Sequence, residues 1–132
     1  MEANWSFMGI SQMIAIRLVC VESPYKATNE HSIEQHRSYL QQCLADCVKR
    51  QESPYASHMM LTDVLDDDDP VERAFGIKAG WEWGIMAEAI VVYGDLGISE
   101  GMKRSIEYYE SFNIPIERRT IDFKIVRDIL GM

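Results

Sequence analysis

Two kinds of hydrophobic pattern alternate along this chain. Short, largely apolar runs that are rich in β-branched residues occur at Ala15–Val21 and Ala89–Tyr93. Runs of this kind are typical of parallel strands that are covered on both faces. Elsewhere the apolar residues recur every three or four positions, which predicts helices that pack against a sheet.

The clearest unit begins with the strand at Ala89–Tyr93. The apolar run stops at Gly94–Gly97, where glycine allows a tight turn, and helical spacing begins after Ser99. Serine is a favourable helix N-cap, so we expect the helix to begin there and to end at Asn113. A further strand is predicted over 115–120.

The first half of the chain follows the same order of elements. Pro24 ends the first strand because proline has no N–H for a ladder. Ser32 and Gln35 have the spacing of a capping box, which predicts a helix from Ser32 to about Gln51. Residues 53–58 form an extended segment, and we interpret it as a short second strand that leads into a short helix.

The acidic run Asp66–Asp69 has two interpretations. Several carboxylates in sequence favour a divalent cation, but no ligand-loop pattern surrounds them. Asp69 followed by Pro70 and Glu72 instead has the residue order of a helix start, with an N-cap and a proline at the first position. We therefore predict a helix from Val71 to about Glu88.

Three glycines lie four residues apart inside this predicted helix, at Gly76, Gly80 and Gly84. Glycine in a helix interior costs about 1 kcal/mol relative to alanine, so a stripe of three indicates that a backbone or a ligand approaches the helix closely there. Close packing, within the domain or across a dimer, is the favoured interpretation. With the apolar segment Trp5–Ile14, the stripe predicts a homodimer or a higher homo-oligomer.

The order of these elements predicts an α/β fold. We expect a small Rossmann-like three-layer sandwich with a mostly parallel sheet of four to five strands and right-handed crossovers. The domain covers residues 1–132, with residues 1–14 as an N-terminal arm. Residues 121–130 are predicted to form a short terminal helix or strand.

Composition narrows the class of partner. A chain of 132 residues with 47% apolar content fits one domain with one core. The net charge of −8, with no basic cluster longer than Arg118–Arg119, argues against nucleic acid and against an anionic membrane surface. No apolar run approaches the roughly 18 residues of a membrane span, and Met1–Ile14 lacks a basic leader region. We expect a cytoplasmic protein.

The cysteines do not have the spacing of a metal site. Cys43 and Cys47 lie one helical turn apart on an apolar face, and Cys20 belongs to the first strand. No CxxC pair or HExxH run is present. The expectation is three inert core thiols, with no metal and no cofactor.

The start of the helix after Ser99 is a candidate anion site. A helix N-terminus at the carboxyl end of a parallel strand offers unpaired N–H groups to a ligand. Gly97 and Gly101 leave the backbone of this turn open. In the alternative interpretation, Gly97 and Ser99 serve only as turn and cap.

Three segments together resemble a known family. They are VESPY at Val21–Tyr25, residues 54–58 with the following LDDDDPVERAFGIKAG, and VVYGDLGISEGMKRSIEYYESFNIPIERR. They are similar to the nucleoside 2-deoxyribosyltransferase-like superfamily, in particular to its small phage and bacterial branch, over about Leu18 to Arg119. Relatives in that superfamily include deoxynucleoside 5'-monophosphate N-hydrolases.

The resemblance implies a Rossmann-like domain that binds a deoxynucleoside or its monophosphate at the carboxyl ends of the strands. In such enzymes a glutamate attacks C1' and an acid assists the leaving base. Ser99 and Gly101 match the family's Ser-x-Gly turn, but the nucleophile's place, six residues after that serine, holds Ser105. This departure leaves Asp95 and Glu100 as the candidate catalytic carboxylates.

Two functions follow from the resemblance. One is cleavage or exchange at the N-glycosidic bond of a nucleoside or nucleotide, and the other is nucleotide binding without catalysis, to sequester or sense a nucleotide, for instance in phage and host conflict. A phage-encoded copy would act in the cytoplasm of the bacterial host. The predicted ligand-binding residues are Ser23, Pro24, Tyr25, His58, Gly97, Ser99, Gly101 and Met102.

Three of the candidates also have plain structural interpretations. Asp95 could hydrogen-bond its own turn, as aspartate often does. Tyr25 could serve in aromatic packing, and His58 could be a satisfied loop histidine.

Overall fold

Four parallel strands form one sheet in a computed structural model that describes residues 16–132. The strands are β1 (Arg17–Glu22), β2 (Glu52–Tyr55), β3 (Ala89–Tyr93) and β4 (Ile116–Arg119). They lie in the order β2-β1-β3-β4, so β1 and β3 are central. Val19 of β1 is in register with Pro54 on one side and with Ala89 on the other. The predicted α/β fold is confirmed, with four strands.

Five α-helices surround this sheet. They are α1 (Ile33–Lys49), α2 (Ser57–Met60), α3 (Pro70–Gly84), α4 (Glu100–Ser111) and α5 (Phe123–Leu130), with a 3₁₀ turn after α2. Helices α1 and α5 cover one face of the sheet, and α3 and α4 cover the other. The molecule therefore has three layers. In the part of the chain from residue 16 onward, no helix is both long and apolar enough to cross a membrane.

The predicted caps account for several helix boundaries. Ser32 and Gln35 form a capping box at the start of α1, and the carboxylate of Asp69 accepts hydrogen bonds from the first turn of α3. Asn113 has a positive φ of 59° just past α4 and ends that helix. Residues 121–130, which the sequence left open, contain the helix α5.

Two predicted elements differ from the observed ones. Helix α3 ends at Gly84, four residues before the predicted end at Glu88. The chain turns here because the N–H groups of Met86 and Ala87 bond to carbonyls only three residues back, and the N–H of Glu88 then bonds to Leu18 of β1. The first strand begins at Arg17, and Ala15 and the arm over residues 1–14 lie outside the described residues.

The glycine stripe on α3 is covered by side chains of the same chain. A Cβ on Gly80 would lie 2.5 Å from the Ser57 hydroxyl, and one on Gly84 would overlap with the Tyr109 phenol. Close packing at the stripe is confirmed, and it lies within the domain. A second subunit is therefore not needed to cover it, so the stripe gives no support to the predicted oligomer.

The three cysteines are free and buried in the core. Burial raises the pKa of the Cys20 thiol to about 12 and also raises those of Cys43 and Cys47. Thiols that stay protonated are poor nucleophiles and poor metal ligands. Their environment agrees with the predicted role as core residues.

A buried ion pair connects the two edge strands. The two terminal guanidinium nitrogens of Arg119 on β4 each lie 2.7 Å from a carboxylate oxygen of Glu52 on β2. Both side chains are buried, with 5% and 6% exposure. Glu117 and Arg17 extend the network at the side of this pair. The bidentate geometry is that of a strong charge-assisted pair.

We expect the free energy of unfolding to fall by roughly 2 to 4 kcal/mol in Glu52→Gln, because the buried guanidinium of Arg119 loses its bidentate partner and keeps only the more exposed carboxylate of Glu117 at 3.1 Å. Urea denaturation monitored by circular dichroism measures the change. Glu82→Gln is the matched control, since Glu82 pairs with Lys78 in solvent at 2.6 Å and such pairs contribute less than about 1 kcal/mol. Equal losses in the two variants would contradict the importance of the buried pair.

Candidate functional site

A cavity of about 370 Å³ opens at the carboxyl end of β1. Its walls come from the segment after β1, from α2 and the following turn, from one side of α3, and from the first three turns of α4. Ligands bind at this position in open α/β sheets, because the strands end there and the loops diverge. The volume lies in the range of small-molecule sites.

Most of the residues predicted to bind a ligand meet in this cavity. Those that line it are Ser23, Pro24, Tyr25, His58, Ser99, Gly101 and Met102. The first three follow β1, His58 belongs to α2, and the last three form the start of α4. The structure thus brings together three segments that are far apart in sequence.

Asp95 does not line the cavity, which corrects the prediction of a catalytic role for it. Its carboxylate accepts a hydrogen bond of 2.6 Å from the Tyr39 hydroxyl and further bonds from the Ile121 N–H. Its own N–H donates to the Tyr39 oxygen at 2.9 Å. Asp95 therefore anchors the loop after β3 to α1 and to the segment after β4.

Gly97 and Glu100 also differ from their predicted places. Gly97 has a φ of 92° and serves the turn, but it does not border the cavity. Glu100 lies at the rim with a side chain that is 82% exposed, and its carboxylate pairs with Lys103 at 3.2 Å. An exposed, paired carboxylate at the rim is poorly placed to act on a ligand inside the cavity.

The carboxyl group inside the cavity belongs to Glu22, the last residue of β1. The residue is half-buried, and burial raises the pKa of its carboxyl to about 8, against a smaller opposing effect of a hydrogen bond with Ser105. At neutral pH this group is therefore largely protonated. A carboxyl group with this property can donate a proton to a ligand.

Ser105 links Glu22 to the wall of α3. The indole Nε1 of Trp81 donates a hydrogen bond of 2.9 Å to the Ser105 hydroxyl, and Ser105 in turn lowers the pKa of the Glu22 carboxyl. Trp81 is also stacked on Tyr108 with ring centroids 4.3 Å apart. This arrangement holds the Glu22 side chain against one wall of the cavity.

His58 is uncharged at neutral pH. Burial lowers its pKa to about 4, and its Nε2 lies 3.0 Å from the Ser23 hydroxyl. The Tyr25 ring meets the His58 ring edge-on at 5.7 Å, and the Tyr25 hydroxyl is held by Arg37 and Thr62. Both side chains are fixed in place on the wall that faces α3 and α4.

Sequence reasoning missed Glu22, Trp81, Arg73 and Arg104, all of which line the cavity. Glu22 follows directly on the predicted strand Ala15–Val21, so a carboxyl at the end of a central strand was a detectable feature. The two arginines and Trp81 could be found only once the pocket-facing sides of α3 and α4 were known. No group of three or more residues able to hold a metal ion occurs in residues 16–132.

Comparison with known proteins gives one family. A family model described as a domain of unknown function (DUF7768) matches residues 17–119. No curated protein and no solved structure matches the chain.

We expect Glu22→Gln to become more stable than the parent as the pH rises from about 4.5 to about 8. In this range the folded parent keeps Glu22 protonated while the unfolded chain ionises it, so the parent loses stability and levels off above about pH 8. Each unit of pKa difference corresponds to about 1.4 kcal/mol, and water in the cavity reduces the full value, so the expected gain is roughly 2 to 4 kcal/mol.

Urea unfolding of parent and variant at several pH values measures this difference. Glu107→Gln is the control, because Glu107 is an exposed residue of α4 that does not border the cavity. A stability gap between Glu22→Gln and the parent that does not change with pH would show that Glu22 titrates normally.

Proposed function

The chain belongs to the DUF7768 family, whose description names no activity, and we propose from the cavity itself that it cleaves the N-glycosidic bond of a small nucleoside or nucleotide. The observation that carries the proposal is the position of the Glu22 carboxyl inside a ligand-sized cavity, where burial raises its pKa to about 8. Departure of a base from C1' requires a proton donor near the base, and Glu22 can supply the proton at neutral pH.

The reaction needs only one carboxyl group to balance. Glu22 transfers its proton to a ring nitrogen of the base while the bond between C1' and the base breaks, and the bonding electrons leave with the base. A water molecule then adds to C1', and the proton that it loses returns to the Glu22 carboxylate. The products are the free base and the sugar with a hydroxyl group at C1'.

The other walls of the cavity suit the two parts of such a ligand. The aromatic residues Tyr25, Trp81 and Tyr109 border the cavity and provide apolar surface for a base. The hydroxyl groups of Ser57 and Thr62 and the neutral His58 offer hydrogen bonds to a sugar or to base edges. None of these groups brings a formal charge to the cavity at neutral pH, so Glu22 stays protonated next to them.

A second candidate is nucleotide binding without catalysis. Glycosidases commonly use two carboxyl groups, whereas the other carboxylates that border this cavity already have partners. Asp67 pairs with Lys26 at 2.8 Å, Glu100 pairs with Lys103, and Glu72 accepts a hydrogen bond from the Asp66 N–H. A protein with this cavity could retain a nucleotide intact and serve to sequester or sense it.

We expect the parent protein to release free base from at least one member of a panel of ribonucleosides, 2'-deoxynucleosides and their 5'-monophosphates, measured by mass spectrometry. Glu22→Gln should reduce the rate by about 100-fold or more, because the amide cannot donate a proton in the same way. The parent rate should fall as the pH rises above about 8, where Glu22 ionises.

Glu107→Gln provides the matched control for this loss and should keep the parent rate. Base release by Glu22→Gln at the parent rate would remove Glu22 from the mechanism. A parent that binds a nucleotide tightly and releases no base would favour the second candidate.

We expect Gly101→Asp to abolish binding of the nucleotide that the parent binds, without unfolding the protein. Gly101 borders the cavity, and the nearest heavy atom to a Cβ at this position is the Ser99 hydroxyl at 3.9 Å, so the fold has room for a side chain. The added carboxylate repels an anionic ligand, while aspartate in the first turn favours the helix.

Gly101→Ala separates charge from size in this test, since it adds only the Cβ, and its affinity should stay near that of the parent. Calorimetry measures both affinities, and thermal unfolding checks the fold. Unchanged affinity in folded Gly101→Asp would show that the ligand does not reach the start of α4.

A further inference from the structure

Two arginines border the mouth of the cavity from different helices. Arg73 belongs to α3 and Arg104 to the second turn of α4, and both line the main cavity as well as a second cavity beside it. They are therefore near each other at the junction of the two cavities. Both residues are exposed, so a ligand can reach them from solvent.

The two guanidinium groups lack carboxylate partners within the described part of the chain, although the protein has 21 acidic residues against 13 basic ones. Seven of the thirteen Lys and Arg residues from residue 16 onward pair with a carboxylate, and Arg73 and Arg104 are among the six that do not. The carboxylates that border the main cavity near these arginines have other partners: Lys26 for Asp67, the Asp66 N–H for Glu72, and Lys103 for Glu100.

The remaining carboxylate at this junction is Asp68, which borders the second cavity. It is exposed to water, which screens its repulsion of an anion. The charge of Asp68 opposes one of the two guanidinium charges at the second cavity. Asp68 does not line the main cavity, whereas both arginines do. At the mouth of the main cavity the two arginines therefore outweigh the Glu72 carboxylate by one charge, because Lys26 and Lys103 offset Asp67 and Glu100.

We propose that Arg73 and Arg104 form a phosphate-binding subsite, so that the substrate class is a nucleoside 5'-monophosphate rather than a nucleoside. Planar guanidinium groups match phosphate oxygens with two parallel hydrogen bonds each, and two of them neutralise a dianionic phosphate. This inference rests on the proposed function: the phosphate lies at the mouth and the bond between sugar and base lies near Glu22.

The test compares each of the four 2'-deoxynucleosides with its own 5'-monophosphate. The parent should bind the preferred monophosphate about 100-fold more tightly than the nucleoside, measured by calorimetry at fixed salt. Arg73→Gln and Arg104→Gln should each weaken monophosphate binding about tenfold or more and leave nucleoside binding unchanged. Raising the salt concentration should weaken binding of the monophosphate and not of the nucleoside.

Arg118→Gln is the matched control, because it removes the same charge from an exposed residue of β4 that borders neither cavity. It should behave as the parent. If Arg118→Gln weakens monophosphate binding as much as the two pocket variants do, the loss reflects only the net charge of the protein, and the subsite is overturned.

The outcomes for the subsite and for catalysis are separable. If base is released from nucleosides and monophosphates equally well and the pocket variants match the parent, the subsite is overturned and the glycosidase proposal stands. If no base is released but monophosphate binding depends on both arginines, the subsite is supported and catalysis is not. Absence of monophosphate binding to the folded parent overturns the subsite.

Discussion

The sheet depends on one buried ion pair, between Arg119 and Glu52. Both edge strands have only four residues, so each contributes few ladder hydrogen bonds. The bidentate pair joins these two strands, which lie on opposite sides of β1 and β3 in the sheet. Two charges in the core are costly unless they are paired and hydrogen-bonded, so this pair fixes the positions of β2 and β4 relative to each other. Arg119 also donates a hydrogen bond of 3.3 Å to the Tyr93 hydroxyl, which restrains the position of its side chain further.

At the carboxyl end of β1, burial favours neutral side chains rather than a pair of opposite charges. Within residues 16–132, neither Glu22 nor His58 has a charged partner, and desolvation shifts their pKa values towards the neutral forms, to about 8 and about 4. The inner cavity is thus uncharged at neutral pH, while the charged groups lie at its mouth. The same physical effect therefore separates the molecule into a charged network that holds the sheet and a neutral cavity that can accept a ligand.

Local sequence patterns were sufficient to predict the fold but only part of the site. Strands, caps and the glycine stripe depend on neighbours in sequence, so Ser32, Asp69 and Asn113 could be assigned correctly. Asp95 was assigned to the site because it follows β3, yet a hydrogen bond with Tyr39, a residue of a distant helix, removes it from the cavity. Glu22 was missed because its property comes from burial by α3 and α4, and the sequence alone does not show which helix faces lie over the end of β1.

Because Asp95 is anchored, the walls of the cavity differ in how firmly the rest of the fold holds them. Its hydrogen bonds tie the loop before α4 to α1 and to the segment after β4, so the α4 wall is braced by two other parts of the fold. The opposite wall is the short helix α2, none of whose residues is fully buried. Opening for entry and exit is then expected at α2, because α4 has three buried residues in the core and α2 has none. Affinity would be determined by groups on the braced wall, and the residence time of a ligand by the short helix that faces it.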